Sequence, residues 1–158
     1  MTNERPDELL DFEIAFYEKL VIDKPDFVDV LTALGDAYTK KGLYEKGLEI
    51  DKKLTVFKPD DEYVLYNFAC SLSLTGRIEE AISVLKKAVS LGCRDVAYIE
   101  KDKDLDNVRS DPRYKRLIAA LKRSKKREIR DEPRPSSVDH GRETNRKEGR
   151  GENKKPAA

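Results

Sequence analysis

Apolar residues recur every three or four positions along most of the chain, a spacing that places their side chains on one face of an α-helix. Near the N-terminus, Leu9, Phe12, Phe16 and Leu20 follow this spacing. The same pattern, read with the breaks at glycine and proline, predicts seven helices in all. They cover Asn3–Asp23, residues 27–41 and 44–57, segments around Leu65–Leu72 and Ala81–Val89, a short stretch near 96–100, and Asp111 or Pro112 to about Ser124.

Small and turn-forming residues within Pro25–Cys93 recur at a constant interval of 34 positions. The matching pairs are Pro25 and Pro59, Gly35 and Ala69, Gly42 and Gly76, and Gly47 and Ala81. A fixed period in this range is typical of arrays of helix pairs. The sequence therefore predicts an all-α fold in which antiparallel helix pairs stack into a short solenoid.

The small residues of this repeat have two predicted roles. Gly35 and Gly47, with their alanine counterparts one unit later, leave room where the two helices of a pair approach closely. Gly42 and Gly76 permit the left-handed backbone with which the chain leaves the first helix of each pair.

The repeat divides the chain into a helical domain over residues 5–124 and a charged tail over 125–158. Within the domain we expect a partial repeat, two full repeats and a degenerate capping region, at residues 6–26, 27–60, 61–94 and 95–124. Apolar content collapses after Ser124. A segment that cannot bury apolar surface cannot offset its chain entropy, so the tail is expected to be disordered. The last helix can extend by another turn or two into the first residues of the tail, Lys125–Arg130.

Charge is distributed unevenly along the chain. The net charge is +1, but the last 38 residues carry 13 Lys or Arg against 7 Asp or Glu. The chain is thus a mildly acidic body with a basic tail. The N-terminus shows neither a secretory signal nor an apolar run long enough to cross a membrane, and the two cysteines are too few for a disulfide scaffold. We therefore expect a cytoplasmic protein.

The repeat residues of Pro25–Cys93 resemble the tetratricopeptide repeat (TPR) family, and the resemblance covers about Leu9–Leu121. Asp51 stands where the family usually has an aromatic residue, Leu54 where it has alanine, and Cys93 where it has proline. Asp102–Leu117 is similar to an ending common in bacterial TPR proteins. The matching positions are Leu31, Leu34, Gly35, Tyr38, Gly42 and Pro59 in the first full unit, and Leu65, Ala69, Gly76, Ala81 and Ala88 in the second.

The resemblance implies an α–α superhelix whose first helices line a concave groove, and a non-enzymatic role as an adaptor that binds a partner protein there. Tyr63 and Tyr66 have an alternative role, which is to pack against the neighbouring unit. Ala33, Thr39 and Ser73 are also expected on the concave face. The predicted partner contacts are Asp29, Thr32, Asp36, Lys40, Tyr63, Tyr66, Asn67, Cys70 and Leu74.

Some TPR proteins clamp the C-terminal carboxylate of a partner with lysine, arginine and asparagine side chains. Asn67 suits the middle position of such a clamp, whereas Thr32 and Asp36 stand where the first unit would need lysine and asparagine. We therefore expect a different ligand, a short peptide or one helix of a partner.

Metal binding and catalysis find little support in the sequence. Asp102, Asp104 and Asp106 alternate as in a calcium loop, but Asn107 and Arg113 occupy the positions that require glycine and glutamate. A capped turn between short helices is the preferred interpretation. The only histidine, His140, lies in the tail. No cofactor, metal or catalytic residue is predicted.

Two further hypotheses concern the ends of the chain. In the first, a basic cluster near the domain edge contacts RNA or a ribonucleoprotein, and the repeats tether another molecule to it. The alternative is that these charges only keep a disordered extension in solution. The apolar edge from Phe12 to Leu20 could support weak self-association of an otherwise monomeric chain. The basic cluster consists of Lys122, Arg123, Lys125, Lys126, Arg127 and Arg130.

Overall fold

Helices occupy most of the computed structural model, which describes residues 7–131. A 3-10 helix over Lys103–Val108 separates the last two α-helices, and no strand occurs in the described range. The α-helices are α1 Asp7–Asp23, α2 Val28–Lys41, α3 Tyr44–Phe57, α4 Glu62–Leu74, α5 Ile78–Leu91, α6 Val96–Lys101 and α7 Pro112–Asp131.

Consecutive helices pack against one another from α1 to α5, so α2–α3 and α4–α5 form two stacked pairs. The 3-10 helix packs against α4 and α5, and α7 packs against α5 and α6. Leu105 and Val108 of the 3-10 helix are completely buried, as is Ile99 of α6. The fold is therefore the predicted α–α superhelix, with α6, the 3-10 helix and α7 in place of a third regular pair.

Both predicted glycine turns are confirmed. Gly42 and Gly76 have φ angles of 79° and 76°, in the left-handed region that glycine enters without steric cost. In each turn the next amide donates back into the helix, from Leu43 to the Tyr38 carbonyl at 2.8 Å and from Arg77 to the Leu72 carbonyl at 2.8 Å. This is the bonding pattern of a Schellman cap, which satisfies carbonyls at the helix end.

The close approach of paired helices is also confirmed. A Cβ atom on Gly47 would lie 3.1 Å from the hydroxyl oxygen of Thr39 and 3.6 Å from the carbonyl oxygen of Gly35. Ala69 and Ala81, one unit later, are 0% and 1% exposed. Larger side chains at these positions would force the helices of a pair apart.

Polar contacts hold α1 on α2. The Tyr38 hydroxyl donates to Glu18 at 2.6 Å, and the Lys41 ammonium contacts Asp7 at 2.6 Å and Asp11 at 2.9 Å. Leu10 and Ile14 supply the buried face of α1. The helix thus sits where the second helix of a preceding pair would lie.

The last helix is longer than the domain boundary at residue 124 suggested, since α7 continues to Asp131. Residues 125–131 are therefore helical, which agrees with the expected extension of the helix by a turn or two into Lys125–Arg130 and moves the end of the helical domain past residue 124. Lysine, arginine and glutamate have high helix propensity, and Glu128 contacts Arg94 of the loop after α5 at 3.4 Å. Residues 1–6 and the rest of the tail, 132–158, lie outside the described residues.

Candidate functional site

A cleft of about 340 Å³ opens between α2, α4 and the segment that joins α6 to the 3-10 helix. Helix α3 contributes one residue, Asp51, to its lining. We call it the acidic cleft because four of its lining residues are aspartates. The lining consists of Gly35, Asp36, Thr39, Lys40, Asp51, Tyr66, Asn67, Cys70, Ser71, Leu74, Tyr98, Asp102 and Asp104.

Helix α2 presents Asp36 and Lys40, one turn apart, on its cleft side. Partial burial raises the pKa of Asp36, and the positive charge of Lys40 opposes this shift. Since Lys40 is the one cationic residue in the lining, the two side chains do not cancel the charge of the other carboxylates.

Asp51 is a buried carboxyl, 7% exposed, in the middle of α3. It accepts a hydrogen bond of 2.5 Å from the hydroxyl of Ser71 on α4. Its other oxygen lies against Gly35, where an added Cβ would come within 3.1 Å. Burial raises the pKa of Asp51 to about 6; the Ser71 hydrogen bond opposes the shift and the negative charge of Asp36 adds to it.

Tyr66 connects α4 to the degenerate third unit. Its hydroxyl donates to Asp102 at 2.7 Å, and its ring lies 5.7 Å from the ring of Tyr98. Only 4% of Tyr66 is exposed, and burial is the main reason why its pKa is raised. The alternative that this tyrosine packs against the next unit therefore holds in the structure.

Local hydrogen bonds fix the segment that forms the far wall of the cleft. Asp102 caps the 3-10 helix by accepting from the amide of Asp104 at 3.0 Å. The guanidinium of Arg109 donates to the main-chain carbonyls of Glu100 and Asp102, which fixes the corner between the two helices. Burial raises the pKa of Asp104, and the charges of Asp102 and Asp106 raise it further.

The acidic cleft thus contains four carboxyl groups and one ammonium group. Like charges held close together in a partly desolvated site raise one another's pKa, and a cation entering the site would relieve this repulsion. The charge pattern favours a positively charged ligand group. It is opposite in sign to what the C-terminal carboxylate of a partner would need.

Six of the nine predicted partner contacts line this cleft, together with Thr39. As contacts to a partner they stay predictions. The six are Asp36, Lys40, Tyr66, Asn67, Cys70 and Leu74.

The other three predicted contacts lie outside the cleft lining. Asp29 is exposed in the first turn of α2, and the Thr32 hydroxyl donates to the carbonyl of Val28 at 3.0 Å. Tyr63 is 71% exposed near the start of α4. Ala33 is half-buried and also outside the lining. The expectation that Ser73 lies on the concave face was wrong, because it is completely buried.

Sequence reasoning missed Asp51 and Tyr98 as lining residues of the cleft, and Arg109 as the residue that fixes the corner beside it. Asp51 did carry a signal, since a carboxyl group at a position that normally holds a core aromatic residue must find a hydrogen-bond partner in the interior. Tyr98 and Arg109 lie in the unit where the repeat register is lost, so no spacing pointed to them.

The predicted capped turn at Asp102 is confirmed by its hydrogen bond to the Asp104 amide. Asp106 pairs with Arg109 at 2.6 Å and does not line the acidic cleft. Within residues 7–131 no group of three or more His, Cys, Asp or Glu side chains has the geometry to hold a metal ion.

The remaining chemistry-bearing groups are the two cysteines and the basic cluster. Cys70 is buried and Cys93 half-buried, and burial raises the pKa of both thiols. Such thiols are poor nucleophiles near neutral pH. The basic cluster is exposed on α7, with Lys122 paired to Glu100 at 2.6 Å. None of the described helices is both long and apolar enough to cross a membrane.

The stacked pairs and the cleft between their first helices define a helical-repeat protein of the solenoid class. Residues 63–91 match the family model described as "Tetratricopeptide repeat". The chain is also 34% identical over 88 residues to "Tetratricopeptide repeat protein 13" of Homo sapiens, an alignment that covers 52% of this chain and 10% of that protein. Residues 63–91 are thus similar to a tetratricopeptide repeat, and the chain spans about a tenth of the length of this relative.

The raised pKa of Asp51 generates a prediction about stability and pH. Because the folded-state pKa, about 6, exceeds the ordinary value of 3.8 for an aspartate, the fold favours the protonated carboxyl. The contribution of Asp51 to stability is then complete below about pH 4 and is lost as the pH rises through about 6. Asp51→Asn removes this loss. As the pH rises from about 4 to above 6, the free energy of unfolding of the variant should therefore increase relative to that of the wild type by up to about 3 kcal/mol. Urea unfolding at a series of pH values measures the difference.

Ser71→Ala provides the matched comparison. Removing the hydroxyl that lowers the pKa of Asp51 should move the loss of stability to higher pH. A constant free-energy difference between Asp51→Asn and the wild type across this range would contradict the assignment.

Proposed function

We propose that this protein is a non-enzymatic, cytoplasmic adaptor that binds a segment of a partner protein in the acidic cleft. Tetratricopeptide repeats are in general scaffolds for protein–protein interaction. The finer assignment, to this cleft and to a segment that carries a lysine or arginine side chain, rests on the charge and shape of the site.

The observation that carries the proposal is the imbalance of charge in a defined cavity. Four aspartates from α2, α3 and the 3-10 segment line the same cleft as a single lysine. An electrostatic field of one sign in a concave site concentrates ligands of the opposite sign and speeds their association. Asn67 and Leu74 add an amide and an apolar surface for the rest of the segment.

The size of the cleft fits this class of ligand. A volume of about 340 Å³ is near the lower end of the range for ligand pockets, enough for one long side chain and its neighbours. Because Tyr66 and Asp51 are themselves buried, they form fixed walls that lose little entropy on binding.

Selection from a displayed library of random peptides, with the full chain as bait, tests the proposal. Peptides recovered by the wild type should be enriched in lysine or arginine. Synthetic copies should bind Asp36→Asn/Asp104→Asn about tenfold more weakly, because two of the attracting charges are gone. Fluorescence anisotropy with labelled peptides measures the affinities.

The matched control is Asp26→Asn/Asp60→Asn, which removes the same charge from exposed loops outside the cleft. It should bind like the wild type. Recovery of peptides without cationic residues, or equal loss of affinity in both double variants, would contradict the assignment to the cleft.

The extended α7 favours a second candidate function, contact with RNA. Arg123, Lys126, Arg127 and Arg130 occur at positions that share one face of the helix, and all four are exposed. A row of cations over two helical turns suits the phosphates of a nucleic acid backbone. No aromatic residue interrupts the row, so this contact would recognise charge and not bases.

Arg123→Gln/Lys126→Gln/Arg127→Gln in the full chain tests this second candidate. If three phosphate contacts are lost, the slope of log affinity against log salt for single-stranded RNA should become shallower by about 2. Filter binding of a uridine oligonucleotide at several salt concentrations measures the slope. A control that removes three exposed charges elsewhere, Lys52→Gln/Arg77→Gln/Lys86→Gln, should keep the wild-type slope. Equal slopes in all three proteins would exclude α7 as the RNA contact.

A further inference from the structure

Helix α1 has two apolar faces, and only one of them is covered. Its inner face, with Leu10 and Ile14, packs against α2. The outer face consists of Leu9, Phe12, Phe16 and Leu20, of which the first three are 45%, 67% and 50% exposed. The rings of Phe12 and Phe16 stack on one another with centroids 6.4 Å apart.

The position of α1 in the array explains why this face is open. The corresponding helix of the next unit, α3, packs against a first helix on each side, α2 and α4. Helix α1 has α2 on one side, and within residues 7–131 no helix lies on its outer face. Exposed aromatic side chains arranged along one helix face mark an interaction surface.

Charge on the same helix points to the occupant. Glu8 and Lys19 are exposed, and helical geometry places both on the same flank of the outer face. When two copies of such a helix pack antiparallel across a two-fold axis, identical flanks face each other. An axis midway between Phe12 and Phe16 sets Phe12 of one copy against Phe16 of the other. It also sets Glu8 near Lys19 twice.

We propose that the outer face of α1 binds a second copy of this chain, with the two α1 helices antiparallel. In a parallel arrangement this flank of one helix faces the opposite flank of the other, so the two Glu8–Lys19 contacts are not made. The surface is therefore complementary to itself in one orientation.

A lipid surface fits this helix poorly. Six of the seven charged residues of α1 are acidic, so an anionic membrane would repel it. Only Lys19 is basic, and the acidic residues are Asp7, Glu8, Asp11, Glu13, Glu18 and Asp23.

Self-association would change how the adaptor binds. No residue of α1 lines the acidic cleft, so the pairing leaves that site uncovered by α1 itself. A dimer would then carry two clefts. Two linked sites bind a partner with repeated cationic segments more tightly than one site does, because the second contact is intramolecular.

Sedimentation equilibrium of the full chain tests the pairing. The wild type should show a monomer–dimer equilibrium that depends on concentration. Glu8→Lys and Lys19→Glu should each weaken dimerisation about tenfold, because each turns two attractive contacts into repulsive ones. An equimolar mixture of the two variants should recover the wild-type affinity, since both contacts are attractive again in the mixed dimer.

The mixed dimer distinguishes pairing from a loss of helix stability, which mixing would not repair. Circular dichroism of each variant verifies that the helices are intact, and Lys86→Glu on α5 serves as an exposed charge reversal away from α1. Three outcomes would overturn the proposal: a wild type that stays monomeric at every concentration, a dimer insensitive to both reversals, or a mixture that associates no better than its components.

Discussion

The Asp51 carboxyl joins three helices at the acidic cleft. It extends from α3, accepts the Ser71 hydroxyl of α4 and lies against Gly35 of α2. A buried carboxyl group is costly unless it is hydrogen-bonded. Ser71 supplies the hydrogen bond to Asp51, and the absence of a side chain at residue 35 leaves room for its other oxygen. This contact sets how closely the first repeat packs on the second, and hence the width of the cleft between α2 and α4.

The same carboxyl group contributes to the negative charge of the cleft. Burial and the negative charge of Asp36 raise the pKa of Asp51, and these two aspartates line the same narrow space as Asp102 and Asp104. Tyr66 links the first two repeats to the third unit through Asp102, and Arg109 fixes the corner at which that unit departs from the repeat. The irregular third unit therefore both caps the array and supplies the acidic wall opposite α2.

The regular part of this fold was predictable because its determinants are local. A period of 34 residues, left-handed glycines at 42 and 76, and small residues at helix contacts together specify the two central pairs. The third unit was not predictable in the same way. The positions of Tyr98 and Arg109 depend on a 3-10 helix, which the 34-residue period does not predict. The acidic character of the cleft depends on combining α2, α3 and residues some 50 positions later, which spacing within one repeat does not reveal.

The most direct measurement is a carbon-detected NMR titration of the aspartate carboxyl groups, in the free protein and with an acetylated, amidated Gly-Gly-Arg-Gly-Gly peptide. In the free protein the pKa of Asp51 should be about 6, and those of Asp36 and Asp104 should lie above the ordinary value of an aspartate. The bound arginine should lower all three, because a nearby cation favours the charged carboxylate. Unchanged titration of these three groups at a peptide concentration that shifts other resonances would contradict cation binding in the acidic cleft.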